Sequence, residues 1–118
     1  MSNLWGPPLW KYLHYNAKFY PKNPTHTDIR NMKTFLRYVG KTLPCQICKK
    51  HFGDILRKGG TYNNVKIPPL SDEILSSQRT YFIWLFHVHN YVTVHKKRKI
   101  KPTKIKLPKY KDILKYYL

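Results

Sequence analysis

The sequence predicts an all-α protein, a four-helix bundle with a short fifth helix. Three observations predict it. Apolar residues recur at helical spacing, no strand-like alternation runs longer than a few residues, and prolines and glycines punctuate the chain at about helix-length intervals. At 118 residues it is expected to form one domain, 1–118, with a basic segment at 95–106. No internal repeat divides it.

The first helix is expected from about Pro8, since a proline is accepted where the N–H would lack a partner anyway, to Tyr20, where Pro21 and Pro24 end it. Thr25 or Thr27 caps the second, in which Ile29, Met32, Phe35, Leu36 and Val39 share a face and Gly40 is the stop. Pro44 precedes a third helix, with Phe52, Ile55 and Leu56 on one face and Gly59-Gly60 at its end. Residues 60–70, containing Asn63-Asn64 and Pro68-Pro69, read as a loop. Ser71, Asp72 and Glu73 open a long fourth helix through Ile74, Leu75, Tyr81, Trp84, Leu85, Val88 and Val92. A short fifth helix follows Pro108, from Lys109 to Tyr117.

Charge narrows the function classes. Lys and Arg number 23 against 5 acidic residues, a net +18, which attracts nucleic acid, anionic lipid, acidic protein surfaces or a phosphate-bearing cofactor. The excess is densest from Lys96 to Lys106, a run that by itself reads as a solvated tail. The N-terminus, Met1-Ser2-Asn3-Leu4-Trp5, has neither the basic nor the apolar region of a signal peptide. The longest apolar stretch, Tyr81 to Val94, is broken by His87, His89 and Asn90, so no membrane span is expected. These features point to a soluble protein of the cytosol or nucleus. Two cysteines allow one crosslink at most, which excludes a disulfide scaffold.

Those cysteines, in Pro44-Cys45-Gln46-Ile47-Cys48, sit at the start of a helix. There the positive end of the macrodipole and unpaired backbone N–H groups favour thiolate, and Lys49, Lys50 and His51 add positive charge. A redox disulfide, half of a zinc site and two inert thiols all fit the spacing. On the first helix, Trp10, His14 and Ala17 share a face. On the fourth, Trp84, Val88 and Tyr91 or Val92 make an apolar stripe beside a polar one of His89, Thr93 and Lys96 or Lys97, a seam suited to a planar cofactor. His87 and His89 lie about 200° apart on a helix, so both cannot face one ligand. A zinc site would need them both beside the cysteines, which makes it a poor fit.

The order of motifs, Trp10-x-x-Leu13-His14-x-x-Ala17-x-x-Tyr20-Pro21, then Leu43-Pro44-Cys45-x-x-Cys48, then Trp84-Leu85-x-His87-x-His89-Asn90-x-Val92, resembles the Erv/ALR family of FAD-linked sulfhydryl oxidases over about residues 4 to 110. It is most similar to the minimal single-domain forms of large cytoplasmic DNA viruses. The resemblance implies that the bundle holds FAD, that Cys45 exchanges disulfides with a protein dithiol, and that Cys48 passes two electrons to the flavin, which oxygen reoxidises with release of hydrogen peroxide. It places Trp5, Gly6, Trp10, His14, Tyr20, Cys48, Trp84, His87, His89, Asn90, Thr93, Lys97, Arg98 and Tyr110 around the cofactor, and no metal. Three of these depart from the family pattern. Thr93 stands where the family has Asn, Arg98 stands at a phosphate-binding lysine position with Lys97 and Lys99 beside it, and Tyr110 stands where a tryptophan is common. The extra cysteine pairs of longer relatives are absent. The reductant is then expected to meet Cys45 directly or through a separate thioredoxin-like relay protein, and the enzyme to act as a homodimer in the host cytoplasm or the virion. The competing reading is a basic helical nucleic-acid-binding protein whose tail carries the function.

Overall fold

The computed structural model describes residues 4–96, together with Lys109, Lys111 and Lys115. Lys97, Arg98 and Tyr110 lie outside the described residues, as does the expected fifth helix apart from those three lysines.

Helix α1, Gly6–Lys18, starts two residues before the expected Pro8, because both prolines of Gly6-Pro7-Pro8 fit a first turn whose N–H groups need no helical partner. Its buried residues, Gly6, Trp10, Leu13, His14 and Ala17, recur every three or four positions. Tyr20 lies just beyond the helix, and its hydroxyl donates to Leu75 O at 2.6 Å. Helix α2, His26–Thr42, begins with a capping box, in which Asp28 N–H donates to Thr25 Oγ1 and Thr25 N–H donates to the Asp28 carboxylate. It runs two residues past Gly40, the expected stop. Gly40 is a contact point instead, where a Cβ would lie 2.9 Å from Phe52 Cδ1 of the next helix. Leu43, extended before Pro44, ends α2.

Helix α3, Gln46–Lys58, is capped by Cys45 and closed by Gly59 at φ 75°, a conformation only glycine adopts without strain. The expected loop that follows contains an antiparallel hairpin of β1, Gly60–Tyr62, and β2, Val65–Ile67, in which Thr61 faces Lys66. Asn63 and Asn64 both have positive φ, as a two-residue primed turn requires. The Asn-Asn pair between Thr61-Tyr62 and Val65-Lys66-Ile67 was the available signal. The expected long fourth helix is two pieces. Ser71 Oγ accepts from Ile74 N–H and opens only a 3₁₀ turn, Ile74–Ser76. Ser77 is extended, and its Oγ accepts from Thr80 N–H to cap α4, Gln78–Lys96.

Helix α1 lies along α4, and α2 along α3. The hairpin and the 3₁₀ turn pack against α4. Leu13, Leu36, Phe52, Ile55, Leu75, Tyr81, Phe82, Leu85 and Val88 form the centre of the shared core. Among the described residues no helix is long and apolar enough to cross a membrane.

Candidate functional site

The two cysteines are joined as a disulfide. Cys45 is the N-cap of α3, and its Sγ accepts a hydrogen bond from Cys48 N–H at 3.2 Å. Both residues are half-buried, and Cys48, one turn into the helix, packs against the hydrophobic core. Ile47 between them is 55% exposed. An N-cap sulfur of a 13-residue helix sits where the backbone N–H groups and the macrodipole stabilise negative charge. Charge on Cys45 Sγ is therefore favoured by the local fold, whatever lies nearby.

A second cluster is built where α1 meets α4. His14 and His89, 75 residues apart, place Nε2 and Nδ1 at 2.9 Å, so one imidazole donates to the other. The His89 ring lies flat on the Trp10 indole, with centroids 4.2 Å apart and planes 9° from parallel. Burial holds His14 down to about 4, and burial together with the neighbouring His14 takes His89 down to about 3. Both are neutral at physiological pH. His89 thus leaves the polar stripe expected for it and turns in to α1. Thr93, one turn on, spends its hydroxyl on His89 O at 3.1 Å.

The third group lies on another flank of α4. Asn90, 4% exposed, donates its amide to Tyr62 Oη at 3.3 Å, and Tyr62 Oη lies 2.7 Å from His87 Nδ1. With one amide proton already on the phenol oxygen, the phenol proton can go to His87, whose own protonation is disfavoured by burial. Trp84 donates from its indole N–H to Pro68 O, 2.9 Å away, and so pins the end of the hairpin to α4. Trp5 is half-buried at the N-cap of α1, beside the buried Gly6.

Of the residues singled out in the sequence, the structure joins Trp10, His14 and His89 in one contact cluster and His87 and Asn90 in another. The cysteines stand on the α2–α3 side of the fold. Tyr62 was missed, because its role depends on a hairpin read as a loop. Among the described residues no three His, Cys, Asp or Glu side chains converge as a metal site. In the α1–α4 cluster Trp10 and His14 are buried and His89 half-buried, the Trp10 and His89 rings are parallel, and the neutral imidazoles can donate and accept hydrogen bonds. Such a wall suits a planar heteroaromatic group.

Comparison with known proteins agrees with the motif order. A profile of the Erv1/Alr family matches residues 7–112. The chain is 33% identical over 96 residues, 81% of its length, to a protein of Acanthamoeba polyphaga mimivirus named as a probable FAD-linked sulfhydryl oxidase. It is 31% identical over 87 residues, 74% of its length, to an FAD-linked sulfhydryl oxidase of Arabidopsis thaliana. To an FAD-linked sulfhydryl oxidase of African swine fever virus it is 28% identical over 109 residues, 92% of its length. The chain spans 61% of the mimivirus protein and 39% of the plant protein, about half the length of these relatives, and 78% of the swine fever virus protein. With the profile covering nearly all of it, the chain belongs to the Erv1/Alr family.

Proposed function

We propose that this chain is an FAD-dependent sulfhydryl oxidase, a single domain over 1–118, that makes disulfide bonds in protein dithiols and delivers the electrons to oxygen as hydrogen peroxide. The observation that carries the proposal is the disulfide at the N-cap of α3, with one sulfur at the helix end and the other against the core.

The chain's own residues account for the exchange. A substrate thiolate attacks Cys45 Sγ, the Cys45–Cys48 bond breaks, and its electron pair leaves on Cys48. The second substrate thiol then attacks the substrate sulfur of the mixed disulfide and expels Cys45. The negative charge that reappears on Cys45 Sγ is met by Cys48 N–H and the end of α3, and the substrate protons pass to solvent. FAD, when bound, supplies the two-electron acceptor for the reduced cysteine pair and the place where oxygen becomes hydrogen peroxide.

The donor set fits that group. The neutral imidazoles of His14 and His89, the latter backed by the stacked Trp10 indole, offer hydrogen bonds without buried charge, which an uncharged planar ring needs. Trp5, Gly6, Tyr20, Trp84, His87, Asn90 and Thr93 complete the proposed cofactor set, with Lys97 and Arg98 for the phosphates and Tyr110 for a stacking contact. His87 and Asn90 are tied to Tyr62 and not to the His14–His89 pair, so they would hold the cofactor as a separate group.

The proposed partner is a protein dithiol or a thioredoxin-like relay protein, with oxygen as acceptor. A homodimer is supported by a groove of about 470 Å³ between α1 and α2, whose wall includes the exposed Tyr12 and Phe19. The viral relatives support the host-cell cytoplasm or the virion as the location. The protein expressed in bacteria is expected to be yellow, to release FAD on heating, and to consume oxygen with dithiothreitol. A colourless protein that binds DNA and no flavin refutes this reading in favour of a basic nucleic-acid-binding protein.

A further inference from the structure

A groove of about 640 Å³ runs between α2 and α3, lined on the α3 side from Lys49, the residue after Cys48, onward. Along α3 its wall is Lys49, Gly53 and Arg57 at fourfold spacing, a row whose next position toward the helix start is Cys45. Arg37 and Lys41 line the facing side of α2. Among the described residues no carboxylate lines it. Asp54, the one acidic residue of α3, is engaged by Lys50 at 2.8 Å and Arg57 at 2.6 Å, and among the described residues Arg37, Lys41 and Lys49 bridge no carboxylate. The floor is apolar, with Leu56 and Leu70. A Cβ built on Gly53 meets nothing within 4 Å, so the groove is open at its middle, whereas Gly40 is closed against Phe52.

From Lys49 to Arg57 the wall extends about 12 Å at the helical rise, room for about three or four residues of extended chain, with Cys45 one turn further on. We propose that this groove holds an acidic, partly apolar extended segment of the protein dithiol, guiding its thiol onto Cys45. Three unbridged cations, Arg37, Lys41 and Lys49, around an apolar floor match alternating carboxylate and aliphatic side chains better than a uniformly charged phosphate backbone, which has nothing to place on Leu56 and Leu70. The inference rests on the oxidase reading and adds the class of substrate and the surface that selects it.

The test uses the flavin-loaded full chain and two synthetic dithiol peptides. One carries Asp-Leu-Glu-Asp before Cys-Gly-Pro-Cys, and the other carries lysines in place of its acids. The acidic peptide is expected to be oxidised with a kcat/KM about tenfold above the basic one at low salt, the ratio shrinking as salt is added. The double variant Arg37→Glu/Lys41→Glu, and separately Gly53→Glu, at a lining position whose Cβ would have no neighbour within 4 Å, are expected to erase that preference. Both should leave dithiothreitol oxidation and flavin content unchanged. Affinity for a serine-substituted acidic peptide, read by fluorescence anisotropy, should fall by the same factor. Equal rates for the two peptides in the parent protein overturn the proposal. So does loss of DNA binding in these variants with peptide oxidation unchanged. A parent protein that oxidises neither peptide nor dithiothreitol sinks the oxidase reading itself, an outcome distinct from failure of the groove alone.

Discussion

Lowering the pH from 7 to 5 sets a proton cost against the folded state at the His14–His89 pair. In the unfolded chain each imidazole takes up a proton near its ordinary value of 6.5, whereas in the fold the two are held at about 4 and about 3. Between those values the unfolded state binds more protons, so stability falls as pH drops, and above 6.5 the pair adds no pH dependence. At about 1.4 kcal/mol per pH unit per group, each histidine costs about 2 kcal/mol at pH 5. Together that is a large share of the roughly 5–15 kcal/mol that holds a domain of this size. His87, also held low by burial, acts in the same direction. The half-buried Asp54 and exposed Asp72 carboxylates, held low by Lys50 and Lys33, contribute only at more acid pH, as they protonate below their ordinary range. The assay is urea unfolding followed by tryptophan fluorescence at pH 7 and pH 5, on the parent and on His14→Gln/His89→Gln. The double variant is expected to be less stable at pH 7 but to lose much less between the two pH values. If both proteins lose the same stability on acidification, the buried pair is not the source of the acid sensitivity.

Two glycines of similar helical setting should respond oppositely to alanine. Gly40→Ala should destabilise by about 1–3 kcal/mol in urea melts, because Phe52 must move, while Gly53→Ala should stabilise by up to about 1 kcal/mol through helix propensity. Tyr62→Phe removes the acceptor of the buried Asn90 amide and the partner of His87, so a loss of about 1–3 kcal/mol is expected. Thermal melts that match the parent would show that water replaces the hydroxyl. Cys45→Ser and Cys48→Ser should each abolish oxygen consumption with dithiothreitol while retaining the helical circular dichroism of the parent. Full activity in either would remove the disulfide from the proposed chemistry.

What was legible in the sequence is what short-range physics decides. The face shared by Trp10, His14 and Ala17, the Thr25 cap, and the cysteine pair at the head of α3 follow from helical period and end chemistry, and they needed no knowledge of the fold. Motif order carried the family. Where two local rules competed, the sequence alone misled. Ser71 and Ser77 can each cap a helix, and the packing of Leu75 and the Tyr20 hydroxyl onto the 3₁₀ turn places the long helix after the second. Gly40 offers a stop, but the approach of Phe52 uses its missing side chain as a contact, and α2 runs on. Asn63-Asn64 signals the hairpin locally, but strands of three residues are too short to show an alternating pattern in the sequence. Other features belonged to tertiary structure from the start. Nothing near His14 in the chain says that it meets His89, or that His89 turns from a polar stripe onto Trp10, because side-chain direction on an isolated helix is free until a second helix packs against it. The same holds for Tyr62 with His87 and for the basic groove between α2 and α3. Periodicity names the face of a helix, and only the packing of the bundle decides what that face meets.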